Sequence, residues 1–572
     1  MKSVAMGGAL VSLAFVLSAA APAPKNADGV TPDMIQTGSD ITGTWKQPQD
    51  NFDYVRREIM IPMRDGVKLH TVVMIPKGAH DLPILLERTP YNASGFSNTD
   101  SPHMADAVWS GNKDWADGSY ILVWQDIRGK YGSEGKYVMT RPTMGVLNPS
   151  KTDDTTDAYD TIDWLVKNLK ETNGNVGMIG SSYDGWTVAM ALLHPHPALK
   201  AAAPESPMID GWMGDDWYHY GAFRQVNLDY FTGQMTKAGE GQGIPRANYD
   251  DYQNFLEGGS AGDYAEKNGF KQLPWWNRFA AHPAYDAFWQ LQALDKQVAA
   301  HPSTVPTMWL QGLWDQEDIY GAVHAFEALK QAGYGANNHL VMGPWYHSQI
   351  NRDGNELGPL KWPGNTTQDF RRNVMIPWFN HYLRGTPEPK PLPDAMIYDP
   401  VNKHWDSFAD WKPADQQALT PLYLQANNGL AFAAPSGGGD SYVSDPAKPV
   451  PFLPLPIPAK NDRWRTWLVT DQRFATARPD VVSYTTPVLT KSVKLEGAPI
   501  ADIFARTTGT DGDFVVKVID VYPGTDASNP EMGGISCRSR STSSVGAIAR
   551  ALRTRRQFPR MKCRSTNSDC RP

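Results

Sequence analysis

The sequence predicts an α/β protein: a mostly parallel sheet covered by helices on both faces, a helical insertion over it, and then a separate antiparallel β-domain. Three observations predict this. Strand-like apolar runs alternate with helix-spaced runs through the first half of the chain and again at 305–347. Aromatic, helix-compatible segments such as "DWYHYGAFRQ" and "PAYDAFWQLQALDKQ" break that alternation between 205 and 300. After about Gly385 the texture changes to Pro-rich loops and short alternating strands. With 572 residues the chain exceeds one compact core and should hold two or three domains.

In chain order, the start "MKSVAMGGALVSLAFVLSAAAPAPKNADG" has a lysine, an apolar stretch over 4–17 and small residues near Ala21 and Ala23. Residues 1–23 therefore read as a secretory signal, and the mature protein as secreted or periplasmic. The sheet domain is expected over 45–204 and 301–385, split by a helical cap at 205–300. Residues 54–76 alternate around Arg64-Asp65-Gly66 and read as a hairpin. "LPILLERTPYN" and "YILVWQDIRGKYGSEG" are strands running into loops, and residues 157–169 have helical spacing. A buried strand over 176–179 leads to "GSSYDGW" and a helix from about Trp186 to Leu193. "VPTMWLQGLWD" and "NHLVMGPWYH" are further strands, separated by the helix-like "GAVHAFEALKQAG".

The β-domain is expected over 386–536, from "PLYLQ", "RWRTWLV", "VVSYTT", "SVKLEG" and "DFVVKVIDVYP", and it stops before a full set of strands has passed. Residues 537–572 are Arg- and Ser-rich, without alternation, and read as an aberrant or disordered basic tail. All three cysteines, Cys537, Cys563 and Cys570, lie in that stretch, so the body is held by packing alone. A net charge of −7 provides no field for nucleic acid, and no later run is long and apolar enough to span a bilayer. Neither an organic cofactor nor a metal is indicated, because no zinc-type spacing occurs.

The chemistry centres on Ser182. Gly180 and Gly185 flank it in the pattern G-x-S-x-G, which places a serine on a sharp strand-to-helix turn with its hydroxyl raised above the sheet. A serine hydroxyl needs a base, and the base an orienting carboxylate. Asp315 ends one later strand-like run and His347 the next, in the order this architecture requires. Taken singly, His347 reads as a loop histidine and Asp315 as a turn aspartate; together with Ser182 they read as a triad. The amide of Tyr183 is one oxyanion donor by position, and the hydroxyl of Tyr91 in "ERTPYN" is the candidate for the second.

These stretches, with "GSSYDGWTVAMALLHPHPALKAAAPESPMIDGWMGDDWYHYGAFR", "LWDQEDIYGA", "GPWYHS" and "QDIRGKYGSEG", resemble the α-amino acid ester hydrolases, relatives of the bacterial cocaine esterases and X-Pro dipeptidyl-peptidases. The likeness runs from about Asp50 to Gly534. It implies an α/β-hydrolase domain, a helical cap and a jelly-roll domain, with Ser182 as nucleophile, His347 as base, Asp315 as orienter, and Tyr91 and Tyr183 as the oxyanion hole. It also implies a carboxylate cluster, Asp216, Glu317 and Asp318, that receives the substrate's α-ammonium group. Three close carboxylates repel unless a cation sits among them. Trp217 and Tyr220, beside Asp216, are candidates for the wall of an aromatic acyl pocket.

The expected activity is hydrolysis of small-molecule α-amino acid esters or amides through an acyl-enzyme, with acyl transfer to β-lactam nuclei as an extension the resemblance implies. A general esterase or X-Pro dipeptidyl-peptidase is the alternative within the enzymes. A secreted carbohydrate-binding protein on a dead scaffold is the alternative outside them. No nucleic-acid or membrane partner is expected, and a homotetramer is the assembly the resemblance implies. Asp184 in the turn stands where glutamate also occurs in such enzymes.

Overall fold

Ten strands form one twisted sheet in a computed structural model of the chain. It describes residues 29–537, apart from 31–33, 35–38, 42, 45–47, 98–100, 215–216, 388–389, 412–418, 460–461, 510–511, 526–531, 533 and 535. The expected signal at 1–23, the tail beyond Cys537 and Asp216 therefore lie outside the described residues. The chain divides into two units, Met1–Asn51 and Phe52–Pro572, and every element named here belongs to the second.

The strands are β1 (Tyr54–Pro62), β2 (Lys68–Pro76), β3 (Leu82–Thr89), β4 (Ile121–Asp126), β5 (Thr172–Ser181), β6 (Leu199–Glu205), β7 (Thr307–Gly312), β8 (Asn338–Gly343), β9 (Ala395–Asp399) and β10 (His404–Phe408). They lie in the order β1-β2-β4-β3-β5-β6-β7-β8-β9-β10. From β4 to β9 every pairing is parallel, while β1, β2 and β10 make the antiparallel margins. β4 and β7 are buried at every position, because helices cover both faces and leave no side for polar residues.

Two helices set the site. α1 (Asp154–Asn168) begins three residues before the periodic run suggests, because Asp153 accepts the Thr156 amide and the Thr156 hydroxyl accepts the Asp153 amide. α2 (Tyr183–Leu193) is buried along its whole length and starts directly after Ser182, not at Trp186. Each of Val188, Met190 and Leu192, removed from water there, contributes about 1.5–3 kcal/mol.

Between β6 and β7 the chain leaves the sheet for short helices, among them α3 (Leu228–Met235), α4 (Pro274–Ala281) and α5 (Leu294–Ala300). Their core is aromatic. The Trp217 ring lies 4.7 Å from both Phe231 and Trp275, and Trp275 stacks on Phe279 at 4.9 Å. Large rings let helices of two turns bury enough area to hold together, which accounts for part of the chain's 20 tryptophans.

The sheet runs further than the sequence suggests. Helix α6 (Ile376–Arg384) ends at Gly385 in the left-handed region, φ 68°, and β9 and β10 then extend the main sheet to Phe408 instead of opening the β-domain. Beyond that, two antiparallel ladders are formed among the described residues, Tyr423–Leu424 with Leu430–Ala431 and Asp520–Val521 with Ser536–Cys537. "RWRTWLV" carries 3-10 turns, Asp462–Arg465 and Trp467–Val469, where a strand is expected. "SVKLEG" has the composition of a strand but is not assigned as one in the structure. No helix among the described residues is long and apolar enough to cross a membrane.

Candidate active site

Ser182 links β5 to α2 at φ 64° and ψ −123°, a conformation that side-chain-bearing residues avoid and that costs about 1–3 kcal/mol. The turn is held by two backbone hydrogen bonds of 3.0 Å, Ser182 N–H to the Glu205 carbonyl and Trp186 N–H to the Ser182 carbonyl. Both flanking glycines are sterically required. A Cβ on Gly180 would stand 2.6 Å from the Asp184 backbone, and one on Gly185 would stand 2.6 Å from the Glu205 carbonyl oxygen. The corner thus has no room for a side chain at positions 180 and 185.

Asp315 and His347 lie beyond the C-terminal ends of β7 and β8, two and three strands from β5 in the sheet. His347 Nδ1 is 3.0 Å and 3.1 Å from the two carboxylate oxygens of Asp315. Asp315 is fixed from three other sides: its Oδ1 accepts the Glu317 and Asp318 amides, both at 2.9 Å, and its Oδ2 accepts Gln311 Nε2 at 2.9 Å. Burial works to raise its pKa, but the facing imidazole and these hydrogen bonds outweigh it and hold the carboxyl below its usual value. Asp315 is therefore a fixed anion that orients the ring and stabilises its protonated form. The Ser181 hydroxyl donates to the Ser348 hydroxyl at 2.8 Å, so the residues next to the nucleophile and the base are joined directly. Ser182 and His347 are each 8 % exposed.

Tyr183 contributes the first amide of α2, one of the N–H groups for which a helix has no internal acceptor. Its phenol is buried and accepts the Thr140 amide at 2.8 Å, which fixes the start of the helix. Tyr91 follows β3, its amide donating to Thr89 Oγ1 at 3.0 Å, and its hydroxyl lies 2.9 Å from that of Tyr230 on α3. Tyr230 is a residue that sequence reasoning missed; no motif marks it, since its partner comes from 139 positions away.

Glu317 and Asp318 gather at His347. Glu317 Oε2 is 3.6 Å from His347 Nε2, Asp318 Oδ2 is 3.8 Å from His347 Nδ1, and one ligand atom from each of the three lies within 4.8 Å of the others. Asp318 is fully buried, and Glu317 is 15 % exposed. Asp216 is outside the described residues; of its described neighbours, His219 Nε2 lies 3.0 Å from the Glu317 carbonyl oxygen, and a Cβ on Gly214 would meet Tyr320 at 2.3 Å. Trp217 is only 1 % exposed and packs into the cap core, 5.8 Å from the Tyr230 ring, while Tyr220 packs against Tyr320 at 6.3 Å. The cavity that Trp217 lines with Trp186 and Met208 has about 30 Å³, room for a water and not for a ring.

A serine after β5, and a carboxylate and an imidazole after β7 and β8, are the residue types that acyl transfer through a covalent intermediate needs. The X-Pro dipeptidyl-peptidase (S15 family) model matches residues 65–349, and that of the X-Pro dipeptidyl-peptidase C-terminal non-catalytic domain matches 388–556. The structure of an α-amino acid ester hydrolase labelled with selenomethionine is 55 % identical, with a TM-score of 0.85 over 89 % of this chain and 84 % of that one. An aminopeptidase from a marine sediment archaeon, Thaumarchaeota archaeon, is 45 % identical with the same score and coverage. The cocaine esterase of Rhodococcus sp. (strain MB1 Bresler) is 29 % identical over 82 % of this chain and 80 % of its own. With this site and these relatives, the chain belongs to the α/β-hydrolase family of the α-amino acid ester hydrolases, cocaine esterases and X-Pro dipeptidyl-peptidases, and it is a hydrolase of esters or peptides.

Proposed function

We propose that the protein hydrolyses esters of α-amino acids whose amino group is free and charged. The observation that carries this is the placing of two carboxylates, Glu317 and Asp318, against the catalytic His347. An ammonium group one carbon from the scissile carbonyl fits beside the base, and each close charge pair contributes about 4 kcal/mol before desolvation is counted. Asp216 completes the cluster in this reading. A neutral or N-acylated substrate forgoes these charge pairs and is rejected on that ground.

In the reaction, Ser182 Oγ attacks the ester carbonyl while His347 Nε2 takes its proton. The carbonyl oxygen becomes an anion held by the Tyr183 amide and the Tyr91 hydroxyl. Collapse breaks the ester C–O bond, and the alcohol leaves with the proton from His347. Water, deprotonated by the same ring, then attacks the acyl-enzyme and releases the amino acid. An amine in place of water gives an amide, so acyl transfer to a β-lactam nucleus requires only that such an amine occupy the leaving-group side.

A second reading rests on the 45 % identity with an aminopeptidase, since a peptide N-terminus presents the same ammonium at the same distance from its carbonyl. The test is on the substrate side. Phenylglycine methyl ester, its N-acetyl derivative and phenylglycine amide are compared at equal concentration. Loss of about 10²-fold or more in kcat/KM on N-acetylation is expected. Equal rates with and without the acetyl group contradict the proposal, and faster turnover of the amide favours the peptidase.

A further inference from the structure

The end of β4 and the loop after it, residues 126–133, are bonded on one side to the segment that carries Tyr91 and on the other to the helix that carries Tyr230. On the first side, Asp126 Oδ1 accepts the Ala93 amide at 2.7 Å, and the Ile127 amide donates to the Thr89 carbonyl at 2.9 Å. Asp126 is itself fully buried and fixed: its Oδ2 lies 2.8 Å from His70 Nδ1 of β2 and accepts the Gly132 amide at 3.2 Å. Tyr91 therefore stands between two tied positions, Thr89 and Ala93. Asn92 beside it is held at φ 81°, a value that side-chain-bearing residues rarely adopt.

On the second side, Lys130 Nζ donates to the Gln234 carbonyl at 3.0 Å and to the Gly239 carbonyl at 3.3 Å, and the Tyr131 amide donates to the Ala238 carbonyl at 2.9 Å. Gln234 is in the last turn of α3, so a buried ammonium group sits at the negative end of that helix. The same Nζ lies 5.1 Å from the centre of the Tyr137 ring. One turn earlier on α3, the Tyr230 ring packs against that of Trp217 at 5.8 Å.

Both phenols thus hang from one loop, and their hydroxyls meet at 2.9 Å. A phenol has one proton to give. When the Tyr91 hydroxyl gives its proton to the developing oxyanion, the bond between the two phenols persists only with Tyr230 as donor. A hydroxyl that accepts a hydrogen bond is polarised into a better donor and is held against rotation. We propose that Tyr230 is a positioning residue of the oxyanion hole: its hydroxyl, presented by the cap, holds the Tyr91 hydroxyl in place and strengthens it as a donor, so that the hole is complete only with the cap seated on the core. This rests on the assignment of Tyr91 as an oxyanion donor, and Tyr230 acts through Tyr91, not on the reacting atoms.

The experiment is a double-mutant cycle of Tyr91→Phe and Tyr230→Phe. It is read in kcat and KM for phenylglycine methyl ester and in the rate constant at which a fluorophosphonate phosphonylates Ser182, with fluoride leaving. Phosphonylation builds negative charge on a phosphoryl oxygen in the same hole and needs no amino group, so it does not depend on the substrate assignment. Tyr230→Phe keeps the ring packing and removes only the hydroxyl. It is expected to lower kcat and the phosphonylation rate constant by about three- to tenfold each, the size of one hydrogen bond, with KM within about twofold of wild type. Added to Tyr91→Phe, it is expected to cost nothing further, because the atom it acts through is gone.

A Tyr230→Phe effect that multiplies in full with that of Tyr91→Phe overturns the proposal. So do wild-type rates in both readouts, or a rise in KM with kcat unchanged, which marks a wall of the substrate pocket. Phosphonylation of Tyr91→Phe at the wild-type rate removes the oxyanion assignment and the proposal with it. Coupling of the two phenols in phosphonylation, together with equal turnover of free and N-acetylated esters, supports the proposal and contradicts only the substrate assignment.

Discussion

At the scale of single residues, the account divides labour in a way that kinetics can read. Ser182→Ala should remove turnover by about 10⁴- to 10⁶-fold and abolish labelling by a fluorophosphonate, with the fold retained. Asp315→Asn keeps the shape but replaces the acceptor facing His347 Nδ1, and a fall in kcat of about 10³- to 10⁴-fold with little change in KM is expected. Tyr91→Phe removes one oxyanion donor and, in steady-state rates, should cost about 10²- to 10³-fold in kcat. Strand-end position and chain order single out Ser182, Asp315 and His347 in the sequence, and the structure brings Asp315 and His347 together. Gln311, Tyr230 and His219 are not singled out, since each acts through a contact that only the folded chain creates.

At the scale of elements, the turn between β5 and α2 is the demanding piece. Gly185→Ala drives a methyl against the Glu205 carbonyl at 2.6 Å, so a loss of about 1–3 kcal/mol is expected in denaturant unfolding, accompanied by lower kcat. Gly66→Ala, in the β1–β2 turn where a Cβ meets nothing but φ is 84°, should cost about 1 kcal/mol and leave kcat unchanged. The sequence showed the turn through its glycine spacing, but placed the start of α2 three residues late, because a serine at positive φ can end a strand and start a helix with no linker. It placed the end of the sheet too early for a related reason. β9 and β10 are short and lie in Pro-rich surroundings, and only their pairing with β8 and with each other marks them as sheet.

At the scale of the whole molecule, buried acids bias stability toward low pH. A carboxyl whose folded pKa is raised binds more protons folded than unfolded, so its contribution is greatest below its ordinary value and declines as pH rises to its folded value. For Glu87 that window runs from 4.5 to about 8 and for Glu205 from 4.5 to about 7. Each such group can cost up to about 1.4 kcal/mol per pH unit within its window. The melting temperature should fall from about pH 5 to about pH 8, and the slope should be shallower in Glu87→Gln. Asp315, held below its usual value, has the opposite sign and matters only in acid. The central claim, recognition of a free α-ammonium beside His347, is tested most directly from the enzyme side. The ratio of kcat/KM for D-phenylglycine methyl ester over methyl phenylacetate is measured in wild type and in the Asp216→Ala, Glu317→Ala, Asp318→Ala triple variant. The account predicts that the ratio collapses by about 10²-fold or more in the variant, through loss on the ammonium ester alone. An unchanged ratio contradicts it.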